Sequence, residues 1–368
     1  HNPTQHGVAW ERPTSVEFIE PADNSGFQID CGIRVHGSDY QRPRTTPDSK
    51  FSFRLYFRGS YGFGRLEYPL FPLSTAREFN QIVLRAGFND PYNPFIRDEL
   101  TRRLSQDQGQ TAVHGTFVNL FVNGVYKGYY NPTERVNEDF CQTYLGGGDE
   151  WDVVGPTGPV AGDSTSFQTL VNYVNANAPA TPAQYQQIER QLDLVNFADY
   201  LLLNIYAGMV DWPANNFRAG KERAPGGIFR FFVWDAEGGF GLYNFPVTIN
   251  VFEGDSSAPG LATVNSAIAQ MYRKLSVCPE FRLLFADRIQ KHFFNGGALT
   301  DTNITARFNQ MRANMMGVLY MDTRILTEWV PQRRGIVMNQ FHTYGYDAYT
   351  NAPAFSQFGG RVAHGFNL

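Results

Sequence analysis

Cysteine is scarce in this chain: three residues in 368, Cys31, Cys141 and Cys278, far apart and without a Cys-x-x-Cys spacing. That pattern excludes an obvious zinc site and a disulfide framework, and three buried free thiols are expected. No apolar run approaches the roughly 18 residues of a membrane-spanning helix, so no membrane span is expected. A dominant charge is missing too. The formal net charge is −4, and no clustered basic face marks a nucleic-acid groove. The pairs Arg102-Arg103 and Arg333-Arg334 read as solvated helix or loop positions. Internal repeats, low-complexity tracts and a Gly-x-Gly-x-x-Gly phosphate loop are all absent. The chain opens HNPTQHG, without a Met or a signal peptide, and reads as an excised domain or processed product of a larger multidomain chain.

Aromatic residues, by contrast, are abundant: 15% of the chain, with 31 Phe and 19 Tyr. An aromatic-rich core accounts for them; stacking platforms for sugar rings or bases are the sharper alternative. Between residues 15 and 58 the segments VEFIE, FQIDCGIRVHG and KFSFRLYFR read as strands. The last alternates, with Phe51, Phe53, Leu55 and Phe57 on one face and Ser52, Arg54, Tyr56 and Arg58 on the other. QIVLRAG (81–87) is a further strand. The segment 93–108 reads as a helix, with Asn93 as cap, Pro94 in the first turn, and Ile96, Leu100 and Leu104 on one face. Asn123-Gly124 between apolar strands predicts a hairpin.

The first 135 residues thus read as a β-sheet crossed by one helix, and the remainder as mainly helical, an α+β fold. Helices are predicted over 166–177, 182–207, 266–294 and 303–320. The run DLVNFADYLLLNIYAGM, capped by Asp193 and apolar nearly all round, is predicted to be the buried central helix. Residues 155–166 read as a flexible connection, and the tail from 330 onward as loops packed on the surface.

The stretch GMVDWPANNFRAGK (208–221) follows that helix, and IFRFFVWD (228–235) lies a short turn beyond. A regular hairpin turning between Pro225 and Gly226 sets Asn216 opposite Asp235, side chains on one side. An amide oxygen beside a carboxylate suits a hard cation such as Mg2+, which borrows the rest of its shell from water and phosphates. Asp211, five residues before Asn216, is then placed to accept a proton from an attacking hydroxyl. Asp-x-x-x-x-Asn followed by a strand-end Asp matches the phosphoryl-transfer constellation of protein kinases. Each piece also has a plainer reading: Asp211 as a helix-terminating turn acid, Asn215 and Asn216 as turn residues. The Gly-Gly-Phe-Gly after Asp235 lets backbone approach a ligand closely.

Taken in order, the blocks GIRVHGS (32–38), SKFSFRLYFR (49–58), IVLRAGFND (82–90), IRDEL (96–100), VNGVYKGYYNPTERV (122–136), DWPANN (211–216) and FVWDAEGGFG (232–241) resemble the CotH kinase family of atypical protein kinases. The ending APAFSQFGGRV is similar to the close of large multidomain secreted bacterial members, which implies an extracellular or cell-envelope setting. The resemblance implies a two-lobed kinase-like fold: a β-rich nucleotide-binding lobe over 1–135 and a mainly helical catalytic lobe over 136–368, with a β-hairpin at the active site. It implies ATP, Mg2+ (or Mn2+ or Ca2+) and phosphoryl transfer to hydroxyls of a cell-surface or secreted protein acceptor. Asp211 would be the base, and Asn216 and Asp235 the metal ligands. Lys50 would contact the phosphates, with Asp98 or Glu99 as its ion-pair partner. Glu134, with the backbone of Thr133 to Val136, falls where a nucleotide-contacting hinge would lie.

The chain also departs from the family pattern. The loop DYQRPRTTPDS is longer, and Lys50 alone survives of a lysine pair. Arg34, His36, Arg42 or Arg44 would cover the phosphates in place of a glycine-rich loop. Glu237, two along a strand from Asp235, shares its face and could reach a second metal. Two other functions are consistent with these residues: a non-catalytic binding or surface-assembly module on the same fold, and a glycan hydrolase using Asp235 with Glu237 or Asp211. The hydrolase ranks last, because acids two apart on a strand point the same way, whereas acid and nucleophile must flank a bond.

Overall fold

The computed structural model describes residues 5–37, 50–87, 90, 95–177, 181–254 and 258–346. Arg42, Arg44, Asn93, Pro94 and the segment APAFSQFGGRV lie outside these residues. Strands β1 (Arg12–Ile19), β2 (Gly26–His36) and β3 (Ser52–Tyr56) appear where alternation placed them. They are followed by the short β4 (Leu66–Glu67) and β5 (Glu78–Phe79), then β6 (Gln81–Arg85), helix α1 (Arg97–Asp107), β7 (Val118–Val122) and β8 (Val125–Thr133). Six of these strands form one antiparallel sheet in the order β1-β2-β3-β6-β8-β7. Asn123 and Gly124, both at positive φ, turn β7 into β8 as a two-residue hairpin.

The sheet has two chemically different faces. Ile29, Cys31, Leu55, Ile82, Leu84 and Tyr130 bury one of them in a first apolar core. On the other, Arg34 pairs with Arg54, and Arg54 with Val83, across β2, β3 and β6. The alternation read in SKFSFRLYFR is therefore real, but the polar face is not a solvent face.

Helix α2 (Glu138–Leu145) leads into β9 (Trp151–Gly155) and β10 (Gly158–Ala161), then α3 (Thr165–Ala176), α4 (Pro182–Glu189) and α5 (Leu194–Ala207). The expected flexible connection is thus partly a strand: β10 folds back on β9. The helix predicted over 182–207 is two helices, broken where the Asp193 carboxylate accepts from the Asn196 amide at 3.0 Å and starts α5 afresh. Strands β11 (Phe217–Glu222) and β12 (Arg230–Val233) complete a second antiparallel sheet, β10-β9-β11-β12. The predicted active-site hairpin is embedded in it. Helices α6 (Ala267–Leu275), α7 (Pro279–Phe293) and α8 (Asp301–Met315) follow, with Cys278-Pro279 separating the first two.

Beyond residue 330 the expected surface loops are instead a helix, α9 (Val330–Thr343). Its buried positions, Val330, Arg333, Val337 and Phe341, do follow helical spacing, but an arginine stands in the apolar stripe. Arg333 is fully buried, and its guanidinium donates to the carbonyls of Ile205, Tyr206, Val247 and Ile249 at 2.6–2.9 Å. Two of those carbonyls belong to the last turn of α5, whose end oxygens are also met by the amides of Gly208, Met209 and Phe240. Arg333 is not the solvated residue the sequence suggested, nor are Arg102 and Arg103, both buried on α1. All three cysteines are free and buried, as expected. Among the described residues no helix is long and apolar enough to cross a membrane.

The large second core gathers α1, α3 to α9 and the second sheet around α5. At its centre the fully buried Asp199 carboxylate accepts from Arg288 Nε at 2.7 Å and Nη2 at 2.6 Å, and lies 2.8 Å from His292 Nε2. Burial raises its proton affinity, but bonds to His292 and Arg288 win and hold Asp199 below the ordinary carboxylate range. Burial pushes His292 down, so its imidazole is neutral in the fold. Asp199→Asn strands a buried guanidinium and should cost roughly 3–5 kcal/mol in urea unfolding. Because the unfolded imidazole binds a proton more readily than the native one, His292 withdraws stability as pH falls below about 6.5. The drop in stability between pH 7 and pH 5 should therefore be smaller in His292→Gln than in the parent chain.

Candidate functional site

Helix α5 ends at Gly208, whose left-handed backbone (φ 62°) turns the chain into the Asp211 loop. Trp212 anchors that loop: it is fully buried and donates to the Tyr200 hydroxyl at 2.8 Å. Asp211 beside it is exposed. Its carboxylate accepts from Asn215 Nδ2 at 2.9 Å and Asn216 Nδ2 at 3.1 Å, so two amides fix its orientation.

The segment after β12 lies directly against this loop. Val210 N donates to Gly238 O at 3.2 Å, and Phe240 N to Ala207 O at 2.7 Å. A Cβ on Gly239 would sit 3.1 Å from the Ala207 side chain. Gly239 therefore serves close approach of this segment to Ala207 at the end of α5.

The register corrects two expectations. Phe217 pairs with Val233, so Asn216 falls opposite Trp234 and not Asp235. The slip of one residue puts the two predicted ligands out of cross-strand register. They still share one end of the β11–β12 pair, Asn216 one step and Asp235 two steps beyond it, each in left-handed backbone (φ 54° and 55°). Glu237 is not two along a strand from Asp235 either, since β12 stops at Val233 and Ala236–Gly238 is a 3₁₀ turn.

Arg85, at the end of β6, organises these acids. Its Nε lies 2.8 Å from Asp98 Oδ2 on α1, its Nη2 hydrogen-bonds Asp235, and Glu237 Oε2 is 3.9 Å away. Asp98 reaches onward, accepting from the Ala236 amide at 2.8 Å. Burial works against the Arg85 charge, but the three carboxylates hold it firmly protonated. Burial likewise works against ionised Asp98, yet Arg102, Arg85 and the Ala236 amide keep its carboxyl below the ordinary range. Glu237 has no such rescue: burial, then the Asp235 charge, pushes it up to about 8 despite Arg85. Arg85 was not singled out in the sequence; the available signal was a lone cation in the otherwise apolar strand QIVLRAG.

The remaining candidates lie elsewhere. Lys50 Nζ donates to Tyr129 O at 2.6 Å and sits 5.0, 4.3 and 4.8 Å from the ring centroids of Phe95, Tyr129 and Tyr130. Burial lowers its pKa to about 8. Its expected partners are engaged with arginines: Asp98 with Arg85 and Arg102, Glu99 with Arg102 and Arg103. Glu134 is buried and accepts from the His114 amide at 2.8 Å and from the Tyr144 hydroxyl. Arg34 and His36 sit on β2, Arg34 donating to Gly7 O at 3.2 Å.

A family model described as CotH kinase protein matches residues 33–154 and 155–329, well over half of the chain. The chain belongs to the CotH kinase family. A search among curated proteins finds no match. Family membership makes this a kinase-like protein, and the CotH match runs through both sheets and the Arg85–Asp98–Asp235 junction.

Arg85→Met leaves Asp98 and Glu237 buried with one cation fewer, and should lower urea-unfolding stability by roughly 3–5 kcal/mol. The Asp235 side chain is 39% exposed, so Asp235→Asn should cost no more than about 1 kcal/mol in the same measurement.

Proposed function

We propose that this chain transfers a phosphoryl group from ATP to a hydroxyl of a protein acceptor, with a divalent cation. The observation that carries this reading is the pair of backbone bonds, Val210 to Gly238 and Phe240 to Ala207, that seats the Asp211 loop beside the Asp235 segment. They gather an exposed, amide-oriented carboxylate and a second carboxylate at one end of a strand pair. Family membership supports the same reading.

Among the described residues no cluster of three or more His, Cys, Asp or Glu is shaped as a metal cage. The donor set fits a magnesium-type ion nonetheless, because such an ion uses one or two carboxylates and takes water and phosphate oxygens for the rest. Asp235 and the Asn216 amide oxygen would hold it, with Glu237 as a further carboxylate; Mn2+ or Ca2+ suit the same oxygens. Bound there, the cation supplies charge neutralisation on the phosphates. Asp211 accepts the proton of the incoming hydroxyl, its carboxylate aimed by Asn215 and Asn216. Arg85 holds Asp235 in place through its hydrogen bond. We further propose a secreted or cell-surface acceptor, an extracellular or cell-envelope setting and a larger multidomain bacterial protein around this chain.

A second reading, a nucleotide-binding module without turnover, is favoured by the Arg85–Asp235 ion pair, which occupies part of the carboxylate meant for a metal. Glu237, 8% exposed in its side chain and beside Arg85, is poorly placed to flank a glycosidic bond, which counts against the hydrolase that pairs it with Asp235. Incubation with γ-labelled ATP and Mg2+ or Mn2+ separates the readings. Transfer of label, reduced by about a hundredfold or more in Asp211→Asn and abolished in Asp235→Asn, is the expected outcome. Nucleotide-dependent thermal stabilisation without transfer in the parent chain would favour the binding module instead.

A further inference from the structure

Most buried arginines of this protein are answered by the fold. Arg85, Arg97, Arg102, Arg103 and Arg288 face carboxylates, and Arg333 faces four carbonyls. Four half-buried ones around the two sheets are not. Arg34 and Arg54 are cross-strand neighbours on the polar face of the first sheet, Arg135 follows β8, and Arg218 lies on β11 in the second sheet. Among the described residues none of the four forms an ion pair. Their hydrogen bonds go to neutral oxygens only: Arg34 to Gly7 O, Arg54 to the Gln81 side chain at 3.1 Å, Arg218 to Phe217 O at 2.9 Å. The Nε atoms of Arg34, Arg54 and Arg218 are buried and have no hydrogen-bond partner.

The four are close enough to repel one another. Burial first, then Arg135 and Arg34, lowers Arg54 to about 9; burial, then Arg218, lowers Arg135 to about 10; burial lowers Arg218 to about 10, with Asp235 opposing and Arg54 assisting. Two aromatic rings hold the guanidinium planes. Arg34 and Arg54 lie 5.4 and 4.9 Å from the Tyr56 ring centroid, and Arg135 and Arg218 lie 5.7 and 4.9 Å from that of Trp234. Arg58, on the same Tyr56 ring, is the internal control, because Glu11 answers it at 2.9 and 3.0 Å. Like charges gathered at a partly desolvated face, with donors left open, create a site that an anion would stabilise.

We propose that Arg34, Arg54, Arg135 and Arg218 form a ladder that binds a condensed phosphate chain, its near end beside Asp235. Arg218 feels both Asp235 and Arg54, so the ladder starts where the acids stop. Guanidinium forks suit phosphate oxygens better than a point charge does. In this chain they take the phosphate-binding part that the family resemblance gave to Lys50, whose ammonium is directed into an aromatic box. The ladder rests on the phosphoryl-transfer reading only for the origin of the phosphates, a nucleoside triphosphate.

The test titrates inorganic tripolyphosphate, ATP and adenosine into the full chain in EDTA at low salt, following Trp234 fluorescence and calorimetry. Parent protein should bind tripolyphosphate and ATP but not adenosine, and binding should weaken steeply with salt. Arg54→Ala and Arg218→Ala should each weaken tripolyphosphate binding by roughly tenfold or more, and the exposed Arg312→Ala should not. Arg54→Lys and Arg218→Lys, which keep the charge, should fall between and guard against misfolding, checked by circular dichroism. Tripolyphosphate binding that is absent, or unchanged in both alanine variants, overturns the ladder. Phosphate binding through the arginines without label transfer keeps the ladder and rejects phosphoryl transfer. Label transfer with an unchanged KM for ATP in both alanine variants does the reverse.

Discussion

The guanidinium of Arg85 is the point on which the rest of the site depends. It is held at the end of β6 and is shared by Asp98 on α1 and Asp235 after β12, with Glu237 within 4 Å. One side chain thus joins the first sheet, the helix behind it and the loop that ends the second sheet. One cation shared by three carboxylates, with Arg102 reaching Asp98 from behind, is a constrained arrangement. Asp98 stays ionised because Arg85, Arg102 and the Ala236 amide are in contact with it, and Glu237 is pushed toward the neutral form. Position and protonation state are therefore set by the same contacts.

Similar logic recurs wherever this protein places charge inside. Asp199 is buried at the centre of α5 because Arg288 and His292 reach it from α7. Arg333 is buried because two carbonyls at the end of α5 and two from the loop before α6 surround it. These polar contacts do not drive burial; the aromatic and aliphatic core around α5 does that. They fix which surfaces meet, and the Asp211 and Asp235 segments inherit their places from the helix so fixed.

What could be read from the sequence follows from how local each signal is. The alternation of Phe53, Arg54, Leu55 and Tyr56 and the Asn123-Gly124 turn are local, and β3 and the β7–β8 hairpin stand where they point. Asp193 as a cap was visible, though not that it divides the helix in two. By contrast α9 was missed because Arg333 interrupts its apolar stripe, and the partner that makes an arginine acceptable there is more than a hundred residues away. The same holds for the site. Asp211, Asn216 and Asp235 sit on neighbouring segments, but their expected pairing failed by one residue, since a regular turn was assumed where the register centres on Pro225. The resemblance points to Lys50 by its place in a lysine pair, whereas its aromatic box comes from three distant positions. Arg85 went unnoticed because an arginine in a strand gains meaning only from the acids that reach it.

Net charge conceals the feature with the most bearing on ligand choice. A total of −4 spread over 368 residues describes no local field. Around the junction the charges are segregated instead, with Asp98, Asp235 and Glu237 at one end and Arg218, Arg54, Arg135 and Arg34 beyond them. A simple anion would be repelled by the first group, and a simple cation by the second. A polyphosphate carrying a divalent cation at its end has the opposite ordering, positive then negative, and so is favoured along the whole array. The aromatic rings strengthen the selection, because Tyr56 and Trp234 hold the guanidinium planes in position before any ligand arrives. Preorganised donors of this kind lose little entropy on binding, which supports the proposed phosphate ladder in a chain without a glycine-rich phosphate loop.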